Sequence, residues 1–434
     1  MKIPRLSWRK PAPGPAFIWR WLYPVVLVGF IVAAALLADA GLENALRIKD
    51  GKVTQVETDP CKPSFLAEVD PTPTFLIIET NAKNDAVGVT AMSLGTDNKG
   101  GWVLQVPLET KTKTGKLLWQ VWSEAALPAP PVTTTGSATT TRPSTSTTTR
   151  QAATQATTTV GALTPDSMAA GKAAMAQAVG KLLGFAFPTD VIVLPTKTLA
   201  SLMTPAMPLS FTLSTPVGTI VNNREVPLFA AGVVSIKNET QVEQLFETVG
   251  PNAQTRLKRQ GDLWAAWIAA LQASPTALAE LKPDAPALVT YINALVVGPS
   301  QYRLLPVDND VTYLGLQIID PDVAETVTLA AQMVPFPLMV EPGARLRTAL
   351  FNGTADCNLT LAAATRFVEH GAQIDVLGNA STLDIAQSEV IYYDAALEAR
   401  AKDFAKSLGI DSVRMIPGES AVDITVTLGA DFKG

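Results

Sequence analysis

Thr74-Phe75-Leu76-Ile77-Ile78-Glu79 is the first of three closely spaced segments that decide the fold. The second covers residues 87–94, and the third, residues 102–106, follows a turn rich in asparagine and glycine. Short runs of apolar and β-branched residues bounded by such turns are typical of neighbouring strands. Strand and helix patterns then alternate up to residue 340, which predicts an α/β fold with a central mixed sheet flanked by helices.

The elements that follow are predicted from the period of their apolar residues. Helices are predicted over residues 168–183, 241–249 and 256–273, with a short one near 199–203, and strands over 190–195 and 311–318. The tail, residues 341–434, reads as a separate small α/β domain. Its predicted strands are 346–351, 373–377, 388–393, 412–416 and 422–428, and its predicted helices are 359–370 and 396–408.

Composition limits the class of protein and its chemistry. A chain of 434 residues with 47% hydrophobic residues can form two or three domains with buried cores. The formal net charge is -5 and the sequence has no basic block, which argues against a nucleic-acid partner. The one histidine, His370, ends a predicted helix, where its charge complements the helix dipole. A single histidine, placed there, disfavours a Ser-His-Asp triad or a histidine-rich zinc site, and no metal site is predicted.

An uncharged apolar segment near the N-terminus predicts a membrane anchor. Residues 21–38 approach the ~20 apolar residues that a helix needs to cross hydrocarbon about 30 Å thick. Five basic residues and no acidic one precede this segment, so the chain after it is predicted to face outward. A cleaved signal peptide is the alternative, although its apolar region is usually about 7–15 residues long. The prediction is a single-pass protein of the cell membrane, with a cytoplasmic leader at residues 1–20 and an extracytoplasmic body.

Two further segments are predicted to lie outside the folded domains. Residues 39–73 carry several prolines among polar residues, which is typical of a stalk. Residues 128–160 are dominated by threonine, alanine, serine and proline, and such a tract buries too little apolar surface to become ordered. It predicts a disordered insertion in the domain that spans residues 74–340. Cys61, in the predicted stalk, and Cys357 either pair in an oxidising compartment or remain thiols.

Three short motifs follow one another in the tail: Leu350-Phe351-Asn352-Gly353-Thr354, Gly378-Asn379-Ala380 and Val422-Asp423-Ile424-Thr425-Val426-Thr427-Leu428-Gly429. In this order and spacing they resemble the C-terminal domain of actinobacterial relatives of the LytR-CpsA-Psr family. Residues 74–340 are in turn similar to a diverged catalytic domain of that family. Their Arg256-Leu257-Lys258-Arg259-Gln260 resembles the family's Arg-x-x-Arg-Gln helix start.

The resemblance implies the transfer of glycopolymers from a polyprenyl-pyrophosphate carrier to peptidoglycan, usually with a magnesium ion. It also implies an apolar tunnel for the lipid, and arginines and acidic residues that grip the pyrophosphate. Pro107-Leu108-Glu109 corresponds to the family's Pro-Arg-Asp signature, so Glu109 is the candidate catalytic residue. Arg256, Arg259 and Gln260 share one helix face and are the candidate pyrophosphate-binding residues.

The chain departs from the family at most positions that carry the chemistry. The signature arginine is lost, its aspartate is lengthened to Glu109, and Ala253 stands where the family has an aspartate before the arginine pair. Two interpretations of the helix start stay open. Arg256 and Arg259 either chelate phosphate oxygens or form a solvated basic turn together with Lys258.

The sequence therefore predicts a membrane-anchored, extracytoplasmic cell-envelope protein of LytR-CpsA-Psr type with reduced or no catalysis. If active, it is a glycopolymer–peptidoglycan phosphotransferase that uses a polyprenyl-linked glycopolymer and Mg²⁺. The alternative is a non-enzymatic scaffold that binds cell-wall glycan or a protein partner. A transferase would bring Glu109, Arg256 and Arg259 into one cleft that opens to an apolar tunnel. Trp264 and Trp267 either line such a tunnel or belong to an ordinary core helix.

Overall fold

The computed structural model describes residues 59–127, 164–221, 224–281, 285–313 and 316–433. The predicted leader, membrane segment and Thr/Pro-rich insertion lie outside these residues. Within them, no helix combines the length and the apolar content that are needed to cross a membrane. The described chain forms helices around two larger sheets, which confirms the predicted mixed α/β fold.

The N-terminal unit, residues 74–333, is built on a five-stranded mixed sheet. In spatial order its strands are β10 (Ser300–Leu304), β4 (Gly101–Gln105), β3 (Ala86–Leu94), β2 (Thr74–Thr80) and β5 (Asp190–Pro195). The pairs β2–β3 and β3–β4 are antiparallel, whereas β5 and β10 add in parallel at the two edges. The three strands predicted to open this unit are confirmed.

Helices cover both faces of this sheet. They are α1 (Leu118–Ala126), α2 (Pro165–Leu183), α3 (Thr196–Met203), α4 (Glu239–Glu247), α5 (Ala253–Ala273), α6 (Pro275–Ala279), α7 (Pro286–Val296) and α8 (Val323–Met333). Strand β2 shows why both faces must be covered. Phe75 and Ile77 pack with α3, α4, α5 and α7, whereas Leu76 and Ile78 pack with α1, α2 and α8. All four side chains are fully buried, since successive residues of a strand point to opposite faces.

Two-stranded ribbons complete the described part of the N-terminal unit. They are β6 (Leu209–Leu213) with β9 (Gly232–Ile236), β7 (Val217–Val221) with β8 (Arg224–Phe229), and β11 (Val307–Tyr313) with β12 (Leu316–Pro321). The last ribbon shows that the prediction of one strand over residues 311–318 is wrong. The chain forms two antiparallel strands there, with Val311 opposite Ile318. β11 carries Asp308, Asn309 and Asp310, which are exposed and disfavour a strand, so no apolar pattern marks it.

The C-terminal unit is built on a six-stranded sheet in the order β1-β14-β13-β17-β15-β16. Its strands are β1 (Leu66–Glu68), β13 (Leu346–Asn352), β14 (Ala372–Asn379), β15 (Glu389–Tyr392), β16 (Ser412–Met415) and β17 (Ile424–Leu428), and its helices are α9 (Leu359–Glu369) and α10 (Glu398–Leu408). The strands and helices predicted for the tail are confirmed to within a few residues. His370 lies at the C-terminal cap of α9, as predicted, and its side chain is exposed.

Part of the predicted stalk belongs to the C-terminal unit. Strand β1 pairs antiparallel with β14, and Ala67 lies opposite Leu377. Cys61 and Cys357 form a disulfide, which decides between the two alternatives that the sequence left open. The predicted stalk over residues 39–73 is therefore corrected for residues 59–73. These residues cover the edge of β14, which would otherwise present unpaired backbone groups.

The two units are joined by hydrogen bonds around residues 333–345. Ala186 N of the N-terminal unit donates to Leu338 O at 2.8 Å, and Met339 N donates to Gln373 Oε1 of β14 at 2.8 Å. Helix α8 packs against α9, and Arg345 donates to carbonyl groups of both units. Side chains at this junction are therefore fixed from both sides.

Candidate functional site

The candidate site is organised by the first two turns of α5. Asn252 caps this helix by accepting a hydrogen bond from Thr255 N at 2.8 Å, so the helix starts earlier than predicted. Arg256, Arg259 and Gln260 point into the protein from one face of the helix, as their spacing predicts. The partners of each side chain decide what the group can do.

Arg256 is held by Glu109. Its Nη2 donates to both carboxylate oxygens, at 2.6 Å to Oε1 and 2.7 Å to Oε2. Only 12% of the Arg256 side chain and 16% of the Glu109 side chain are exposed. A charge-assisted pair that is shielded to this extent is stronger than a solvated surface pair. The structure thus brings the candidate catalytic residue and a candidate phosphate-binding residue together, but as partners of each other.

Arg259 is buried, with 3% of its surface exposed. Its Nε donates to Leu245 O at 2.7 Å, and its Nη2 donates to Thr248 O. Both carbonyls lie at the C-terminal end of α4, where a helix leaves backbone oxygens without helical partners. Burial and, to a lesser extent, the charge of Arg256 lower the pKa of Arg259 to about 10, so the group stays charged at neutral pH.

Gln260 joins α5 to two neighbouring elements. Its Nε2 donates to Val87 O in β3 and to Phe246 O in α4, both at 3.0 Å, and only 1% of the residue is exposed. Lys258, between the two arginines, is exposed and forms an ion pair with Asp262 at 2.7 Å. The interpretation of a solvated basic turn is therefore right for Lys258 alone.

Glu79, near the end of β2, was missed by the sequence analysis. The alternation along β2 turns Glu79 to the same face as Phe75 and Ile77, and its side chain is completely buried. Thr90 Oγ1 donates to Glu79 Oε1 at 2.5 Å, whereas Oε2 has no hydrogen-bond partner in the described part of the chain. An acidic residue that closes an otherwise apolar strand was the available signal.

Gly88 makes room for the Glu79 carboxyl. A Cβ at Gly88 would lie 2.9 Å from Glu79 Oε2 and 3.5 Å from Gln260 Oε1, so both oxygens approach the same point. Burial raises the pKa of Glu79 to about 7, although the hydrogen bond from Thr90 lowers it. Glu79 therefore exchanges a proton near neutral pH, with an amide oxygen close by.

Trp264 and Trp267 belong to the core between α5 and the sheet. They are 0% and 1% exposed, and their ring centroids are 5.2 Å apart. The described residues form cavities of about 280, 410, 570 and 660 Å³, and none of these four is lined by either tryptophan, Glu109, Arg256 or Arg259. This packing favours an ordinary core helix over a lipid tunnel.

The oxygen ligands that Mg²⁺ requires are not assembled at this site. Among the described residues, no group of three His, Cys, Asp or Glu side chains could hold a metal ion. Both oxygens of Glu109 accept from Arg256, and Glu79 offers one free oxygen in a closed, buried space. Because Mg²⁺ needs near-octahedral oxygen ligands and usually keeps several waters, these residues do not fit it.

The C-terminal unit provides the link to known proteins, since its motifs fall on β13, the end of β14 and β17. Residues 345–432 match the LytR_C family. This family is described as LytR cell envelope-related transcriptional attenuator, and the resemblance predicted from the tail is thereby confirmed. The LytR_C domain of this chain also takes up β1, which comes from the sequence before the N-terminal unit. No curated protein matches the chain.

Solved structures of LytR-CpsA-Psr proteins are similar to the chain at low identity. A LytR-Csp2A-Psr enzyme from Actinomyces oris is 13% identical, with 62% of this chain and 95% of that chain covered and a TM-score of 0.39. TagT bound to LIIa-WTA is 11% identical, with 64% and 92% covered and a TM-score of 0.38. YwtF (TagT) with bound octaprenyl pyrophosphate lipid is 10% identical, with 64% and 91% covered and a TM-score of 0.34. Similarity at this level assigns no residue of this chain a role.

Proposed function

We propose that the protein is a membrane-anchored, extracytoplasmic cell-envelope protein of LytR-CpsA-Psr type that acts as a scaffold on wall glycan and does not transfer phosphoryl groups. The LytR_C match supports the envelope role. The uncharged segment at residues 21–38 and the basic residues before it support the anchor and its orientation. The partners proposed are the membrane and peptidoglycan or a polyprenyl-linked glycopolymer.

The observation that carries the loss of catalysis is the occupation of both arginines by the protein itself. Phosphoryl transfer requires cations that are free to neutralise the charge developing on the phosphate. Arg256 would have to release Glu109, and Arg259 would have to leave two backbone carbonyls in a buried place. Both carboxylate oxygens of Glu109 accept from Arg256, which leaves Glu109 a poor metal ligand.

A turnover assay on the full chain in detergent tests this proposal. The substrate is geranylgeranyl pyrophosphate with Mg²⁺, and the readout is released phosphate. We expect no release above the blank. We also expect none from Glu109→Gln, which weakens the hold on Arg256, because Arg259 stays buried.

Lys258→Ala is the matched control, since Lys258 lies on the same turn of α5 but is exposed. Magnesium-dependent release that is lost in Arg256→Ala and kept in Lys258→Ala would contradict the proposal. A scaffold should in addition sediment with purified peptidoglycan, with equal recovery for the unaltered chain and Glu109→Gln.

A further inference from the structure

A cleft of about 570 Å³ lies where the LytR_C domain meets the N-terminal unit. Its wall is formed by residues 111–113, by the ends of α2 and α9, by the start of α8 and by the segment that joins the two units. None of the lining residues belongs to α5, and Glu109 is not among them. Ligand sites commonly occur at domain interfaces and have volumes of about 300–1,000 Å³.

Cationic side chains converge on this cleft from both units: Lys111, Lys113, Lys181 and Arg345. Lys113 is exposed and has no ion-pair partner within the described ranges. Lys111 lies 3.6 Å from Asp320 and both side chains are about half exposed, so that pair is weak in water. Lys181 is paired with Glu341 at 2.8 Å. The cleft therefore offers positive charge that a ligand can reach.

Arg345 places a guanidinium in the wall of the cleft. Nε donates to Gly184 O at 2.7 Å, and Nη1 donates to Val368 O at 2.9 Å and to Ala372 O at 3.0 Å. Nη2 has no hydrogen-bond partner in the part of the chain that the structure describes, and no carboxylate pairs with the group there. Burial lowers the pKa of Arg345 to about 10, which leaves it charged at neutral pH. Its hydrogen-bond partners in the described structure are thus backbone carbonyl groups.

Thr326, in the first turns of α8, points independently to a missing ligand. The residue lines the cleft and is 2% exposed, and its Oγ1 has no hydrogen-bond partner among the described residues. A buried hydroxyl without a partner is unfavourable, and most such groups in proteins are satisfied.

The carboxylates of the cleft indicate what else the ligand carries. Asp320, Glu341 and Glu369 also line it, and carboxylates accept hydrogen bonds from hydroxyl groups. A simple anion would be repelled by these three groups, whereas a molecule with a phosphate and several hydroxyls can use both sets. We propose that this cleft binds a phosphate-bearing saccharide, with the phosphate held by Lys113, Arg345 and Thr326 and the sugar hydroxyls by the carboxylates.

This inference goes beyond the proposed function, since the site lies apart from α5 and requires no chemistry. Its test is isothermal titration of the full chain in detergent with α-D-glucose 1-phosphate, inorganic phosphate and methyl α-D-glucoside. We expect the sugar phosphate to bind with a Kd below about 1 mM, and both other probes to bind at least about tenfold more weakly. Lys113→Ala and Thr326→Val should each weaken the binding of the sugar phosphate by at least about fivefold.

Lys402→Ala is the matched control, because Lys402 is an exposed lysine of the LytR_C domain that pairs with Glu398 on α10. The Lys402→Ala variant should bind the sugar phosphate with the same affinity as the unaltered chain. Absence of binding would overturn the inference, as would affinities that Lys113→Ala and Thr326→Val leave unchanged. Inorganic phosphate that binds as tightly as the sugar phosphate would overturn the saccharide assignment. The turnover assay does not depend on these variants, so the two proposals fail separately.

Discussion

The first turns of α5 and the cleft beside the LytR_C domain carry similar side chains but satisfy them differently. At α5, Arg256 is paired with Glu109, and Arg259 is held by two carbonyls. In the cleft, Arg345 is also held by carbonyls, but it is only half-buried and lines the open space, and neither Lys113 nor Thr326 Oγ1 has a partner within the described residues. Because most buried polar groups in proteins are paired, the paired arginines at α5 indicate a structural role, whereas the unpaired groups beside the open cleft indicate room for a ligand.

The comparison shows that residue type and spacing identify side chains able to bind phosphate, but not whether they remain free to do so. At α5 the spacing places the arginines and Gln260 on one helix face, and the groups nevertheless stabilise the fold. In the cleft no motif marks the residues, which come from five separate stretches of the chain. Removing one polar group at a time distinguishes a group that stabilises the fold from one that is free for a ligand.

The largest effect is expected for Arg259→Ala. The substitution removes two hydrogen bonds from a charged donor, leaves Leu245 O and Thr248 O without partners, and opens a space in a closed region. The free energy of unfolding should fall by about 4 kcal/mol, since each hydrogen bond to a charged group contributes about 1.5–3 kcal/mol. Denaturant unfolding of the full chain, followed by tryptophan fluorescence, measures the change.

Lys258→Ala is again the control and should change the stability by less than about 0.5 kcal/mol, because its ion pair is exposed. If Arg259→Ala were as harmless as Lys258→Ala, the guanidinium would not be structural. It would then be available for phosphate, and the contrast between the two regions would fail.

The second effect concerns Glu79 and depends on pH. Its pKa in the folded protein is about 7, raised by burial from an ordinary value of 4.5. Between these values the folded protein keeps a proton that the unfolded chain has released, so the free energy of unfolding falls as pH rises. The total loss should be about 3 kcal/mol by pH 8, at about 1.4 kcal/mol for each pH unit.

Glu79→Gln isolates this contribution, because glutamine stays neutral and keeps an oxygen for Thr90. The difference in stability between Glu79→Gln and the unaltered chain should grow in favour of the variant from pH 5 to pH 8, by about 3 kcal/mol. Denaturant unfolding at a series of pH values measures it. A difference that does not change with pH would show that Glu79 has a partner or solvent access.

Much of the fold follows from local pattern, and two of the exceptions have a common cause. β2, β3 and the elements of the LytR_C domain were predicted because buried strands and amphipathic helices show their apolar period directly. β1 has only three residues, and β11 exposes its acidic residues, so neither has such a period. Their positions are set by the sheet edge or strand that they pair with.

The candidate site was predictable only in part. Spacing alone placed Arg256, Arg259 and Gln260 on one helix face. The contact of Arg256 with Glu109 joins residues 147 positions apart, and no local pattern encodes such a distance. Glu79 was overlooked because its neighbours made the segment read as an apolar strand. The raised pKa of Glu79 comes from burial, which arises only when the sheet is folded and covered by helices.

The smallest effect, Thr326→Val, tests the cleft side of the comparison. Valine has the same shape as threonine, and the Thr326 hydroxyl is buried without a partner in the described structure. Without ligand, the free energy of unfolding should therefore rise by about 1 kcal/mol, since a desolvated hydroxyl is replaced by a methyl group. Thr90→Val is the control. That hydroxyl donates to Glu79, so its loss should lower the stability by about 1 kcal/mol. Equal losses in both variants, measured by denaturant unfolding, would mean that Thr326 is satisfied within the protein and that the cleft holds no unpaired hydroxyl for a ligand.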